Sequence, residues 1–302
     1  MEGLPTLLDI KKLDEGIGYN IINEVVTLAP ELRILPAETI SGTTVALTVR
    51  KGLPGVSFRN YNEGTTRTKS EYETRTFQTY ILDHQVAVDA QLVKNSKDPG
   101  RLLENHAVGV LEATFKKISD QFYYGTAIDA KGFPGIMAQY QADAEHEHNV
   151  AGTTAKTSVW MVSIGREKLE FLFGNNTTLN FANEWKEETV YDGEGKPYQA
   201  WTNWMTGNIG FRLANKHAAL RIKGLATDTG KGLTDNVLFE AYEKFAGLGM
   251  EPTHLFMTGR SREQLRKSRQ ATNEKGNPVP LPTEWEGIPI VRTGGIANAE
   301  TA

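Results

Sequence analysis

The sequence contains no cysteine, which rules out disulfide staples, thiolate zinc sites, iron–sulfur clusters and cysteine nucleophiles. A small secreted domain would use disulfides, so their absence fits a chain that folds in a reducing cytoplasm. No run approaches the ~18 uninterrupted apolar residues that a membrane helix needs, and no membrane partner is expected. Met1–Ile10 carries Glu2 and Asp9 and lacks the basic start and apolar run of a secretory signal. Neither sign of charge dominates: 33 Lys and Arg against 37 Asp and Glu leave a net charge of -4. A nucleic-acid binder usually carries a basic excess that neutralises phosphates.

Recognisable catalytic patterns are missing as well. Between Gly224 and Gly230-Lys231 lie five residues where a phosphate-binding P-loop has four, and Gly232 stands in place of the Ser or Thr that would hold magnesium. A surface loop is the better account. His146-Glu147-His148 is the one local cluster of metal-ligand types, but no third histidine follows at ligand spacing, and its Ala/Asp/Glu/Asn surroundings read as a solvated loop. His106 falls near the apolar face of a long helix and reads as a packed core residue. His84, His217 and His254 lie in strand-like stretches with no serine or carboxylate constellation around them. There is no nucleophile elbow and no dinucleotide fingerprint. Acid pairs such as Glu187-Glu188 are too common on surfaces to argue acid–base work. No catalytic residue, cofactor or metal is expected.

What is present is enough to bury a core: 39% hydrophobic and 23% charged residues in 302, a length that allows up to two domains. The first forty residues read as an arm, with some helical character over Ile10–Ile22 and short apolar pieces broken by Pro30 and Pro36. Thr44–Val49 and the longer run Glu71–Leu92 then alternate polar and apolar residues in the Thr-, Tyr- and Val-rich manner of strands. Between them, Lys51–Ser70 is rich in turn-forming Gly, Pro and Asn. A long two-stranded hairpin is expected, with a polar tip carrying Arg59, Glu63, Arg67 and Lys69. Such a hairpin is marginal by itself, so either its own domain or another chain must support it.

The strongest helix follows. Asp98 can cap it, Pro99 fits its first turn and Gly125 stops it. Leu103, Ala107, Val110, Leu111, Thr114, Ile118 and Phe122 make one apolar stripe. About 26 residues would span roughly 39 Å, a spine more than a chemical motif. A glycine-bounded loop ends in Phe133-Pro134-Gly135-Ile136. Strand patterns return over Ser158–Ile164 and Asn208–Leu225, and Trp185, Trp201 and Trp204 surround a turn at Asp192–Gly195. Core packing is the commoner reason for such tryptophans and interface anchoring the rarer one. Toward the end, a helix capped by Thr234 or Asp235, a buried strand over Thr253–Met257, a helix opened by a capping box at Ser261–Gln264 and a short strand Ile288–Val291 suggest a small α+β unit.

This order of parts resembles the major capsid fold of tailed bacteriophages, the Hong Kong phage type. Similar local strings are Phe122-Tyr123-Tyr124-Gly125-Thr126 leading to Gly132–Ile136, and Gly210–Ile222, which looks like a strand pair of the family's P-domain. The helix from Thr234, Pro252–Met257 and the helix from Ser261 resemble its A-domain block. The resemblance implies an α+β chain with an N-terminal arm (1–42), an extended hairpin or E-loop (43–92), a P-domain with the spine helix (93–225) and an A-domain-like unit (226–302). In familiar members the A-domain block precedes the last P-domain strands, so this order implies a permuted connection.

By the same resemblance the chain is a non-enzymatic subunit of an icosahedral virion shell, assembling with copies of itself in hexamers and pentamers. Scaffolding, portal and decoration proteins are the implied partners, with double-stranded DNA packaged inside without sequence-specific binding and assembly in the host bacterial cytoplasm. The tip residues Arg59, Arg67 and Lys69 are the candidate contacts to a neighbouring subunit. Encapsulin nanocompartments share the architecture and are the alternative. A soluble two-domain enzyme or binding protein is the reading that keeps the hairpin as an ordinary substructure.

Overall fold

The computed structural model describes residues 29–96, 99–182, 184–271 and 279–300. The expected helical stretch Ile10–Ile22 and the capping residue Asp98 lie outside them. The described chain begins with α1 (Glu31–Ile34), β1 (Ala37–Thr39), β2 (Thr44–Gly52), β3 (Glu71–Gln78), β4 (Tyr80–Asp89) and α2 (Ala90–Asn95). It continues through α3 (Pro99–Tyr124), α4 (Ile136–Gln139), β5 (Glu147–Asn149), β6 (Thr157–Val162), β7 (Leu169–Phe173), β8 (Asn180–Phe181), β9 (Lys186–Tyr191) and β10 (Pro197–Leu213). It ends with β11 (Ala219–Leu225), α5 (Asp235–Gly247), β12 (His254–Met257), α6 (Gly259–Ala271), β13 (Glu284–Trp285) and β14 (Ile288–Arg292).

The spine helix α3 has 26 residues, and its end is set by backbone geometry. Gly125 adopts φ +55, and a Cβ there would lie 2.2 Å from the Gly135 nitrogen, so only glycine lets the next loop close against the helix. Ala107, Leu111, Thr114, Ile118 and Phe122 are buried as the stripe requires. His106 is exposed, not packed, because it lies on the flank of that stripe. Toward its C-terminus the helix is covered on two sides. Phe122 meets Phe211 at 4.8 Å and Phe171 at 5.8 Å between ring centroids, while Tyr123 meets Phe256 at 6.4 Å.

Those partners belong to two six-stranded sheets among the described residues. The first runs β1-β7-β10-β4, with β8 and β9 also paired to the long β10. The second runs β13-β14-β12-β6-β11-β5. Period-two alternation lets β6 serve two cores at once: Trp160 and Val162 face the spine helix, while Val159 and Met161 face the layer of α5 and α6. That second layer packs Leu238, Ala241, Phe245 and Leu265. α5 starts where expected, with Thr234 Oγ1 accepting from the Val237 N–H. α6 starts earlier than the expected box at Ser261: Thr258 Oγ1 accepts from the Ser261 N–H at 3.1 Å, so Thr258 is its cap.

Three sequence expectations change here. The run Glu71–Leu92 is not one strand of the hairpin: β3 pairs with β2, and after the buried Thr79 the chain turns into β4, which pairs with β10. Gly210–Ile222 is not a strand pair, since β10 ends in the first sheet and β11 lies in the second. Residues 226–302 are not a self-contained unit either. The four-residue β12 lies between β14 and β6, so these residues share the second sheet with strands from earlier in the chain.

Candidate intersubunit surface

β2 and β3 pair antiparallel from Thr44↔Gln78 to Gly52↔Glu71, with a bulge between Arg50 and Gly52. At about 3.3 Å per residue the hairpin carries its tip roughly 30 Å from its base. The base is tied firmly. The Thr79 N–H donates to Thr43 O at 2.8 Å, and Arg75 Nη1 donates to Ala214 O at 3.1 Å. Gly210 allows the approach, because a Cβ there would meet Gln78 O at 2.7 Å. Hydrogen bonding and charge from Arg75 hold the Glu73 carboxyl below the usual range.

The tip is ordered by its own polar groups. Glu63 Oε2 accepts from the Asn60 N–H at 3.0 Å, Arg59 Nη1 donates to Glu63 O at 2.9 Å, and Thr68 Oγ1 donates to Gly55 O at 2.7 Å. Of the three candidate contact residues, Arg59 is thus partly engaged in holding the turn. Arg67 and Lys69 are exposed and bond to no described residue. The sequence reading emphasised these charges and missed what lies beside them. Val56, Phe58 and Tyr61 are 94%, 107% and 98% exposed, and Leu53 is exposed too. Apolar side chains scattered singly are ordinary on a surface, whereas several within one short segment make the tip a candidate interaction site. The signal was available in Val56-Ser57-Phe58 and Tyr61, inside a segment that turn residues mark as exposed.

Of the tryptophans near the Asp192–Gly195 turn, Trp185 and Trp201 pack against Val86, Val88 and Val93, whereas Trp204 is half exposed. The His146 region is not a solvated loop. Its ring is buried, with Nδ1 2.6 Å from Asp143 Oδ1 and Nε2 2.8 Å from His217 Nδ1. Only when β5 lies beside β11 do these histidines meet, which spacing along the chain could not show. Burial pushes the Asp143 carboxyl up, but hydrogen bonds from His146 and Gln141 outweigh it and hold it at about 2. Among the described residues no group of three metal-ligand side chains is assembled, and no helix is long and apolar enough to cross a membrane. In the Gly224–Gly232 loop, Asp228 accepts from the backbone and hydroxyl of Thr153 and the backbone of Thr154, so the loop is held by a carboxylate and not shaped to hold a phosphate.

A family model described as major capsid protein GP7 matches residues 29–302. The chain belongs to that family. It is a structural protein of a tailed-phage capsid, a shell subunit with the mixed α+β fold of the Hong Kong phage type. A chain of bacteriophage Epsilon15 is similar at 19% identity and a TM-score of 0.65, over 100% of this capsid protein and 98% of that chain. A chain of the bacteriophage JBD30 capsid is similar at 10% identity and a TM-score of 0.54, over 97% and 99%. A JBD30 capsid decorated with minor capsid protein trimers gives 10% identity and 0.53, over 95% and 97%. No curated protein matches.

Proposed function

We propose that each copy of this capsid protein lays its hairpin over a neighbour, and that Arg59, Arg67 and Lys69 at the tip take part in that contact. The observation that carries this reading is the tip itself: large apolar side chains stand fully exposed, roughly 30 Å along the hairpin from its base. An isolated hairpin is marginal in water, and this one reaches its full support in the assembled wall. Such a head-to-tail contact joins different patches on each copy and closes into rings, as hexamers and pentamers require. In this reading the hairpin is the E-loop, the sheet around β10 with α3 is the P-domain, and the sheet around β12 with α5 and α6 is the A-domain.

The subunit works by packing, without catalysis. The shell encloses double-stranded DNA and, with a chain charge of -4, holds it without sequence-specific contacts. Scaffolding, portal and decoration proteins complete the particle, which is built in the host bacterial cytoplasm. Reversing two tip charges together, R67E with K69E, tests the contact. The circular dichroism and urea midpoint of the unassembled subunit should move by less than about 0.5 kcal/mol, while particle yield on a sucrose gradient drops sharply. A wild-type particle yield from the double variant would sink the proposal.

A further inference from the structure

A pair of histidines joins the anchor of the hairpin to the second sheet. His217 sits on the short turn Lys216–Ala218 between β10 and β11, where its N–H donates to Asn215 Oδ1 at 3.0 Å. Just before that turn stands Ala214, whose carbonyl accepts from Arg75 of the hairpin. His146, immediately before β5, is fully buried and stacks on His217 with ring centroids 5.0 Å apart. The base of the hairpin therefore rests on a turn that is itself held by an imidazole pair.

The protons of this pair follow from its partners. Asp143 is ionised and can only accept, so His146 Nδ1, at 2.6 Å, is the donor. A neutral His146 then presents a bare Nε2, and His217 Nδ1, at 2.8 Å, donates to it. One further proton fits on His217 Nε2, at the other side of that ring. A second would have to enter His146 Nε2 and set two N–H groups against each other. The closed pair thus holds at most one added proton, whereas the separated pair holds two.

The charges around His217 act in the same direction. From β3 comes the Arg75 cation, with Glu73 beside it, and from the loop before β5 come Asp143, Glu145 and His146. Lys216 is its own neighbour, and Lys168 is engaged by Ser163 Oγ at 2.9 Å. Partial burial of the ring, the facing His146 and the Arg75 cation hold His217 below the usual histidine range, outweighing the pull of Glu145 and Asp143. A histidine lowered in one arrangement disfavours that arrangement as pH falls below the open value of about 6.5.

We propose that the His146–His217 pair is a proton-operated latch on the hairpin: closed at neutral pH, it holds the turn that anchors Arg75, and acid opens it and frees the hairpin base. Histidines are suited to this because their charge changes between about pH 5 and 8. The latch acts within one chain, so it stands or fails independently of where the hairpin tip makes contact.

Amide exchange on the full chain as unassembled subunit, followed from pH 8 to pH 5 and corrected for the intrinsic pH dependence of exchange, tests this. Protection over Glu71–Gln78 and the Lys216–Ala218 turn should be level above about pH 7. Below about 6.5 it should fall by up to about tenfold per pH unit, the slope of one proton taken up on opening. Thr157–Val162 should stay protected throughout. H217N keeps an N–H donor near the position of Nδ1 and cannot take up a proton, so its hairpin protection should not change with pH. A level wild-type profile, a slope that persists in H217N, or a slope of equal size in Thr157–Val162 overturns the latch. Should H217N fail to fold, imidazole nitrogen NMR of the wild-type chain decides. His146 Nε2 must carry no proton at pH 7.5 and must gain one over the range in which the hairpin loses protection. A protonated Nε2 at pH 7.5, or no change over that range, overturns the proposal as well.

Discussion

β6 and β3 share a backbone conformation and have opposite surroundings. Every residue of Thr157–Val162 is buried, with helices or sheet on both faces, whereas no residue of Glu71–Gln78 is. The difference separates two tasks. Stability is concentrated where the end of the spine helix is clamped between the sheets, and the hairpin leaves its apolar side chains exposed. The same residue type should therefore have opposite consequences in the two regions. F122A empties a site whose ring touches Tyr123, Phe171, Phe211 and Phe256, and should cost about 3–5 kcal/mol of subunit stability by urea unfolding. F58S removes a ring 107% exposed and should change that stability by less than about 0.5 kcal/mol, yet lower particle yield. Equal losses of stability from the two variants would break the comparison.

The joint between the regions sharpens it. Arg75 stands on β3 but donates to Ala214 O in the body, and its guanidinium is largely covered. R75M should cost about 1–2 kcal/mol through this lost charge-assisted bond. Amide exchange should quicken over β2 and β3 and stay slow in β6. Faster exchange spread evenly over both would mean that the hairpin is not an independently loosened element.

How much of this could be read from the chain follows the same division. The spine helix was legible from Pro99 to Gly125 because its stripe and its end signals are local. So was α5, from the Thr234 cap to the buried face. The hairpin was visible as alternation, but its end was not: nothing in Gln78-Thr79-Tyr80 announces that the strand leaves β2 and joins β10, since both neighbours accept the same pattern. The division of Gly210–Ile222 between two sheets, and the placement of β12 beside β6, are choices of long-range pairing that periodicity does not encode. The candidate surface was legible as charge and missed as apolar exposure, because Phe58 and Tyr61 look like core residues until the body is seen to lie elsewhere. The buried polar groups were hidden for a similar reason. Arg212 lies between Glu38 and Glu170, the latter at 2.6 Å, and the three come from strands far apart in sequence.

Two glutamates carry the comparison into pH dependence. Glu31, at the start of the described chain, is fully buried, and its carboxylate accepts from Thr293, from Tyr123 at 2.7 Å and from Ser119 at 3.3 Å. Burial raises its carboxyl above the usual range, and the hydroxyl donors only partly offset this. A group raised in the folded state favours the fold in its protonated form. Its contribution is fully present below the unfolded value of about 4.3 and is lost as pH rises through the folded value. Glutamine cannot ionise, so E31Q should differ little from wild type at acid pH and gain on it in urea midpoints as pH rises from the unfolded value through the folded one. Glu73 on the hairpin is shifted the other way by Arg75. Its contribution is present above the unfolded value and lost only as pH falls through the folded one, and as an exposed pair it is worth little. E73Q should therefore run parallel to wild type at every pH above about 5. A sloping E73Q difference above about pH 5, or an E31Q difference that stays flat at every pH above about 4.3, would show that burial is not divided between the regions in this way.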